Sequence, residues 1–213
     1  MSRERVSSLL ALGLLVVGLW LPVGIVHATE WQMLSDREGM LVERRAHAGS
    51  GFYEVRATTH SPLPPAAIFD TIWRQREHPQ FVPYLKRLDL LSDTGDERVS
   101  YEQVAVPLAR DRDYTVRLRK RVDQDAQRFE VVFGIANDAG PPPDGSHIRV
   151  AQIRGRWLIE PGRDGRGARI SYEVLSEPGG TIPSWVVNRV QGEAAASLVR
   201  AMLQRTQERN GPR

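Results

Sequence analysis

The C-terminal stretch from Ser176 to Arg209 constrains this chain most. A strand end is followed by Pro178-Gly179-Gly180-Thr181-Ile182-Pro183, and from there no proline interrupts the chain until Pro212. Gly179 and Gly180 let the backbone turn sharply. Pro183 suits a helix start, where its missing N–H is unpaired in any case. Val187, Val190, Ala194, Leu198 and Met202 then recur at helical spacing, with Ala195 and Val199 widening the stripe. Arg189, Glu193, Arg200 and Gln204 fall mostly on the other side, and Gly192 with Ala194–Ala196 gives the helix a thin waist. A long helix that is apolar on one side must lie on something apolar. Most of the chain before it reads as β-sheet, and a curved sheet gripping a helix leaves a space where function would sit.

Met40 to Ala48 and Phe52 to His60 read as two strands joined by Gly49-Ser50-Gly51, after a short lead-in from Trp31 to Arg37. Ser61 to Pro65 is a proline-rich break. Ile68, Phe69, Ile72 and Trp73 give Ala66–Arg76 a helical face, and His78–Leu91 reads as a second, less regular helical segment that Pro83 interrupts. Strands follow over Arg98–Val106, Arg112–Val122 and Arg128–Ala136. In the second, Tyr114, Val116 and Leu118 face one way, and Thr115, Arg117, Arg119 and Arg121 the other. In the third, Phe129, Val131, Phe133 and Ile135 share a face. A Gly/Pro loop spans Asn137–Ser146. Ile148–Glu160 reads as one long strand bent at Gly155, and Ala168–Ser176, with Ile170, Tyr172 and Val174 aligned, as the last. The order of two strands, two helices, a run of antiparallel strands and one long helix means a single α+β domain.

Ahead of that domain, Arg3 and Arg5 precede an uncharged run from Val6 to Val26, and Val26-His27-Ala28 is a small-residue cleavage pattern. Residues 1–28 are therefore read as a secretory signal. The alternative is an uncleaved anchor, since this run just spans a bilayer of ~30 Å. Either way the domain, residues 29–209, is expected outside the cytoplasm, periplasmic or secreted, or anchored at the inner membrane with the domain in the periplasm. Residues 210–213 are expected as a disordered tail. The net charge is only +3. Without a clustered basic face it does not point to nucleic acid. The absence of cysteine excludes a lipoprotein anchor, a disulfide framework and thiolate metal sites.

Catalytic signatures are missing. There is no G-x-S-x-G elbow and no H-E-x-x-H pair. His47, His60, His78 and His147 lack ligand spacing and read as surface or turn residues. Gly162–Gly167, although glycine-rich and basic, links two strands and reads as a hairpin. Asp111 and Asp113 flank Arg112. A paired-acid catalyst is one reading, and a strand start fixed by Asp113 through a local salt bridge or turn contact is the stronger. Glu102 lies on the face opposite to Tyr101 and Gln103, and alternation does not say which face is inner.

Arg112-Asp113-Tyr114, the strand end Trp157-Leu158-Ile159-Glu160-Pro161, and Pro178-Gly179-Gly180-Thr181-Ile182-Pro183-Ser184-Trp185-Val186-Val187-Asn188 together resemble the START (steroidogenic acute regulatory lipid-transfer) domain family of the SRPBCC superfamily, over roughly Trp31 to Arg209. The resemblance implies a helix-grip, Bet v 1-like fold: a curved antiparallel sheet closed by the C-terminal helix around an apolar tunnel. It implies a protein that binds and moves lipids without altering them, although the wider superfamily includes polyketide cyclases. It also implies a gate formed by the C-terminal helix and the Asp123–Gln127 hairpin. Some sterol-binding members hold a buried arginine where this chain has Leu118, which weighs against a sterol-hydroxyl contact.

The chain is therefore expected to be a monomer without cofactor or metal, in transient contact with membranes, holding a hydrophobic small molecule or lipid. The expected cavity, roughly 300–1,000 Å³, is lined by Tyr114, Val116, Leu118, Phe129, Val131, Phe133, Trp157, Tyr172, Val187, Val190, Ala194 and Leu198. Gly179, Gly180, Trp185, Asp123 and Gln127 are expected at its gate. Trp185, beside Val186 and Val187, is read as packed on the sheet, with a membrane-docking tip as the alternative. An enzyme of cyclase or hydrolase type and a non-binding interaction protein are the opposing readings.

Overall fold

The computed structural model describes residues 30–107 and 109–210. The N-terminal signal or anchor expected over residues 1–28 lies outside the described residues. Ten strands form one sheet: β1 (Gln32–Arg37), β2 (Met40–Ala46), β3 (Tyr53–Ser61), β4 (Leu85–Asp93), β5 (Glu97–Val104), β6 (Arg112–Asp123), β7 (Arg128–Ile135), β8 (Ile148–Arg149), β9 (Gln152–Pro161) and β10 (Ala168–Glu177). The spatial order is β1-β2-β3-β10-β9-β7-β6-β5-β4, antiparallel throughout, and the short β8 pairs parallel with β6. Helix α1 (Pro65–Trp73) and a 3₁₀ segment (Gln75–Gln80) connect β3 to β4, and α2 (Ser184–Asn210) ends the described chain. This is the α+β helix-grip arrangement.

Three segments differ from the sequence reading. The lead-in at 31–37 is an edge strand. The supposed second helix over 78–91 is the 3₁₀ turn followed by β4, the opposite edge strand. Two register shifts, between Leu85 and Arg87 and between Leu90 and Ser92, break the alternation of β4 and hide it. The long strand expected over 148–160 is two strands, because its first part pairs with β6 and its second with β7 and β10. The chain steps across at Val150, whose N–H donates to Asp113 and whose carbonyl accepts from Asn137. Gly155 is not a break. A β-carbon there would stand 2.6 Å from the Phe133 ring and 2.1 Å from the Glu173 carbonyl oxygen, so glycine lets that ring lie across β9.

The outer face of the sheet is a ladder of opposite charges. Arg56 bridges Glu43 and Glu173, Arg156 bridges Glu173 and Glu130, and Arg117 and Arg119 share Glu97. Cross-strand pairs of this kind contribute a few tenths of a kcal/mol each. They account for the arginine-rich strands without any polyanionic partner. The inner face is apolar: Val55, Ala57, Val131, Ile159 and Ile170 are all at most 1% exposed. Against it lie Ile68 and Ile72 of α1 and Val199 of α2.

The apolar stripe of α2 is rotated from the expected one. Val187, Gly192, Ala195, Ala196, Val199, Met202 and Thr206 are buried, whereas Val190 is 55% exposed and Ala194 is exposed. The cause is Gly192, where a β-carbon would stand 3.2 Å from both Leu34 and Val42. The helix comes closest to β1 and β2 at its smallest residue, and that contact sets its rotation. At the far end Thr206 donates to Thr71 at 2.9 Å, and Arg209 pairs with Asp70 at 2.7 Å, fastening α2 to α1.

Candidate functional site

The two helices divide the inner face unevenly. α2 packs chiefly on β2, β3 and β10, and α1 on β7 and β9. Between them lies a region on β5, β6, β7 and β10 that is incompletely covered. Phe133, Val174 and Leu198 pack against the core yet keep part of their surface uncovered, as does Tyr114. Their neighbours Val55, Val131 and Val199 keep at most 1%. A stack of rings crosses this region. Tyr172 lies 4.3 Å from Trp157 and 6.1 Å from Phe133, centroid to centroid.

An acidic group enters it. Cross-strand pairing sets Glu102 opposite Tyr114, and so on the inner face. The Tyr114 hydroxyl donates to Glu102 Oε2 at 2.9 Å and Ser100 donates to Oε1 at 3.1 Å. Gln75 donates to Ser100 in turn. Burial pushes the Glu102 carboxyl above its ordinary pKa, partly offset by the Tyr114 and Ser100 bonds. Burial, reinforced by the Glu102 charge, raises the Tyr114 and Tyr172 hydroxyls, which stay neutral. The sequence left the face of Glu102 open. Pairing β5 with β6, once Tyr114 is placed inside, would have found it.

The other acids flagged in the sequence are structural. Asp113 takes a bidentate pair of hydrogen bonds from Arg149, both 2.9 Å, and one from Tyr101, on the outer side beneath the 137–147 loop. Asp111 is bound by Lys86 at 2.7 Å. His78, expected at the surface, is buried at 9% exposure. Burial lowers its pKa to about 4, against a hydrogen bond to the Thr71 carbonyl, so it is neutral at pH 7. Among the described residues no cluster of His, Asp and Glu could hold a metal ion.

Of the residues expected at the cavity, Tyr114, Val116, Leu118, Phe129, Val131, Phe133, Trp157 and Tyr172 lie in or against the inner-face core, and Leu198 packs on it. Val187 is buried at the start of α2. Val190 and Ala194 face outward and leave the set. Asp123 and Gln127 sit at the far end of β6 from Arg112, whose guanidinium donates to the Pro178 and Gly179 carbonyls. The hairpin and the Gly179–Gly180 turn therefore stand at opposite ends of β6. Those glycines, at φ of 69° and 74°, are not slack. The positive φ requires glycine there; a β-carbon on Gly180 would also meet the end of the Ile148 side chain at 2.9 Å, which can move aside. Trp185 is 68% exposed and does not pack on the sheet.

Residues 61–203 match the model of the family described as "Polyketide cyclase / dehydrase and lipid transport". The mouse phosphatidylcholine transfer protein is 28% identical over 183 residues, covering 84% of each chain. A STAR-related lipid transfer protein from Xanthomonas axonopodis superposes with a TM-score of 0.75 at 23% identity, over 83% of this chain and 98% of that one. Human StAR-related lipid transfer protein 5 gives a TM-score of 0.75 at 12% identity, over 84% and 86%.

Proposed function

The chain belongs to the polyketide cyclase / dehydrase and lipid transport family, and from that premise we propose that it binds a lipid between α2 and the sheet and carries it, chemically unchanged, outside the cytoplasm. The observation that carries this reading is the partly uncovered inner surface around Phe133, Val174 and Leu198, beside core neighbours Val55, Val131 and Val199 that keep at most 1%. Each methylene buried there is worth ~0.8 kcal/mol, so an acyl chain leaves water readily for such a surface. The names of the mouse relative and of the two similar structures support lipid transfer as the use. The N-terminal turns of α2 are the part proposed to open, which would release the Asn188 bonds to Tyr53 and Gly51 and the Gln191 bond to the Ser176 carbonyl. Their far end is fastened to α1, and exposed Trp185 and Val190 stand where a bilayer would be met.

Purified protein should release lipid on organic extraction, identified by mass spectrometry, and should speed lipid transfer between vesicles. A preparation that holds no lipid and accelerates no transfer sinks the reading. Glu102 and Tyr114 favour a second reading, an enzyme of cyclase or hydrolase type with Glu102 as base. A bound lipid recovered at unchanged mass after prolonged incubation excludes it. For the compartment, fractionation with N-terminal sequencing should find a chain starting near Thr29 outside the cytoplasm. An intact Met1 chain in the cytosol would refute export.

A further inference from the structure

We propose that Glu102 is the counter-charge for a positively charged nitrogen, an amine or a quaternary ammonium, in the head of the bound molecule. The proposal rests on the carrier reading above and narrows its ligand. Other inward or covered acids of this fold have a guanidinium: Asp113 has Arg149, and Glu173 has Arg156. Among the described residues Glu102 has none. Its partners are the hydroxyls of Tyr114 and Ser100. Arg98, the cation on the same strand face, is held by Asp93 and the Trp73 carbonyl and lies over the Trp73 ring. Glu102 is half-buried, and a carboxylate drawn out of water without a cation is costly. Burial accordingly raises the pKa of this one.

A second group points the same way. Gln75 is 2% exposed, its amide nitrogen donates to Ser100, and its Oε1 has no partner. The linked chain Gln75–Ser100–Glu102 thus leaves the Gln75 Oε1 without a donor, which the N–H groups of an amine guest would supply, while a quaternary ammonium would answer the Glu102 charge alone. The rings beside it suit the same guest. Tyr114 touches Glu102, and Tyr172, close enough for its hydroxyl to feel the Glu102 charge, belongs to the stack with Trp157 and Phe133. Aromatic faces attract alkylammonium groups. An anionic head would meet the Glu102 charge instead. A neutral hydroxyl would leave that charge buried and unpaired.

The test is calorimetric titration of the delipidated protein at pH 8 with three guests sharing one tail, all below their micellar concentrations: dodecyltrimethylammonium, dodecanol and dodecanoate. The ammonium should bind about tenfold or more tightly than the alcohol, a difference of about 1.4 kcal/mol, and dodecanoate weakest. In Glu102→Gln, which keeps an oxygen for Tyr114 and Ser100, the ratio of ammonium to alcohol affinity should fall to about one. Glu102→Asp should retain the preference. A wild-type protein that does not prefer the ammonium overturns the proposal whether or not the variants fold. A preference that survives Glu102→Gln overturns it too. If none of the three guests binds, the carrier reading itself falls, and the proposal with it.

Discussion

Asp113→Ala should destabilise the domain by about 3–5 kcal/mol, read as a lower urea midpoint with an unchanged slope. Its side chain is 4% exposed and carries two hydrogen bonds from Arg149 and one from Tyr101. Removing it leaves a guanidinium and a phenol covered by the 137–147 loop without their acceptor. It should also detach β8, which Asp113 ties to β6. The same residue makes an acid signature. Burial alone would raise its pKa, but the Arg149 and Tyr101 bonds outweigh burial and hold it below the ordinary value. The stability it contributes is complete above the unfolded-state value of about 4 and is lost as pH falls through the lower folded value. Asp113→Ala should flatten that acid limb. An unchanged limb would show that the pair is not its source.

The second large effect tests the rotation of α2. Ala196→Trp should cost about 3 kcal/mol, because Ala196 is 1% exposed and sits in the core cluster. Ala194→Trp, two positions earlier on the exposed side, should change stability by less than about 0.5 kcal/mol. Thermal unfolding of the two variants side by side decides the matter. Equal losses would restore the stripe read from the sequence, in which Ala194 faces the sheet.

These two residues mark where sequence reasoning stops. Periodicity located α2 and its length, because a long apolar stripe without proline has few other outcomes. It did not set the phase, because Val190 and Ala194 are apolar on the solvent side, and Gly192, which decides the rotation, carries no hydropathy signal. Strand β6 was legible because its arginines and its Tyr114, Val116 and Leu118 alternate without a break. Strand β4 was not, because two bulges in an edge strand scramble the alternation around Lys86, Arg87 and Asp89. At the site, alternation separated Glu102 from Tyr101 and Gln103, but only pairing with β6 says which set is inside. Gln75 was invisible: its role depends on Ser100 across the sheet, and no local pattern joins the two.

The placing of β10 has a consequence for how the domain comes into being. β3 and β9 are neighbours only through β10, which pairs with Ser61 on one side and Pro161 on the other at the same residue, Ala168. A chain delivered from its N-terminus therefore builds a β1–β3 ribbon and a β4–β9 ribbon that cannot join until the last strand arrives. Such late, long-range closure is slow, and until it happens both ribbons present open edges to other chains. The final stretch is thus a clasp in two stages: β10 seams the halves together, and only then does α2 have a continuous surface to settle on. A chain truncated before Ala168 should stop at two unjoined ribbons, and an exported chain would lack its closed sheet until nearly all of it had crossed.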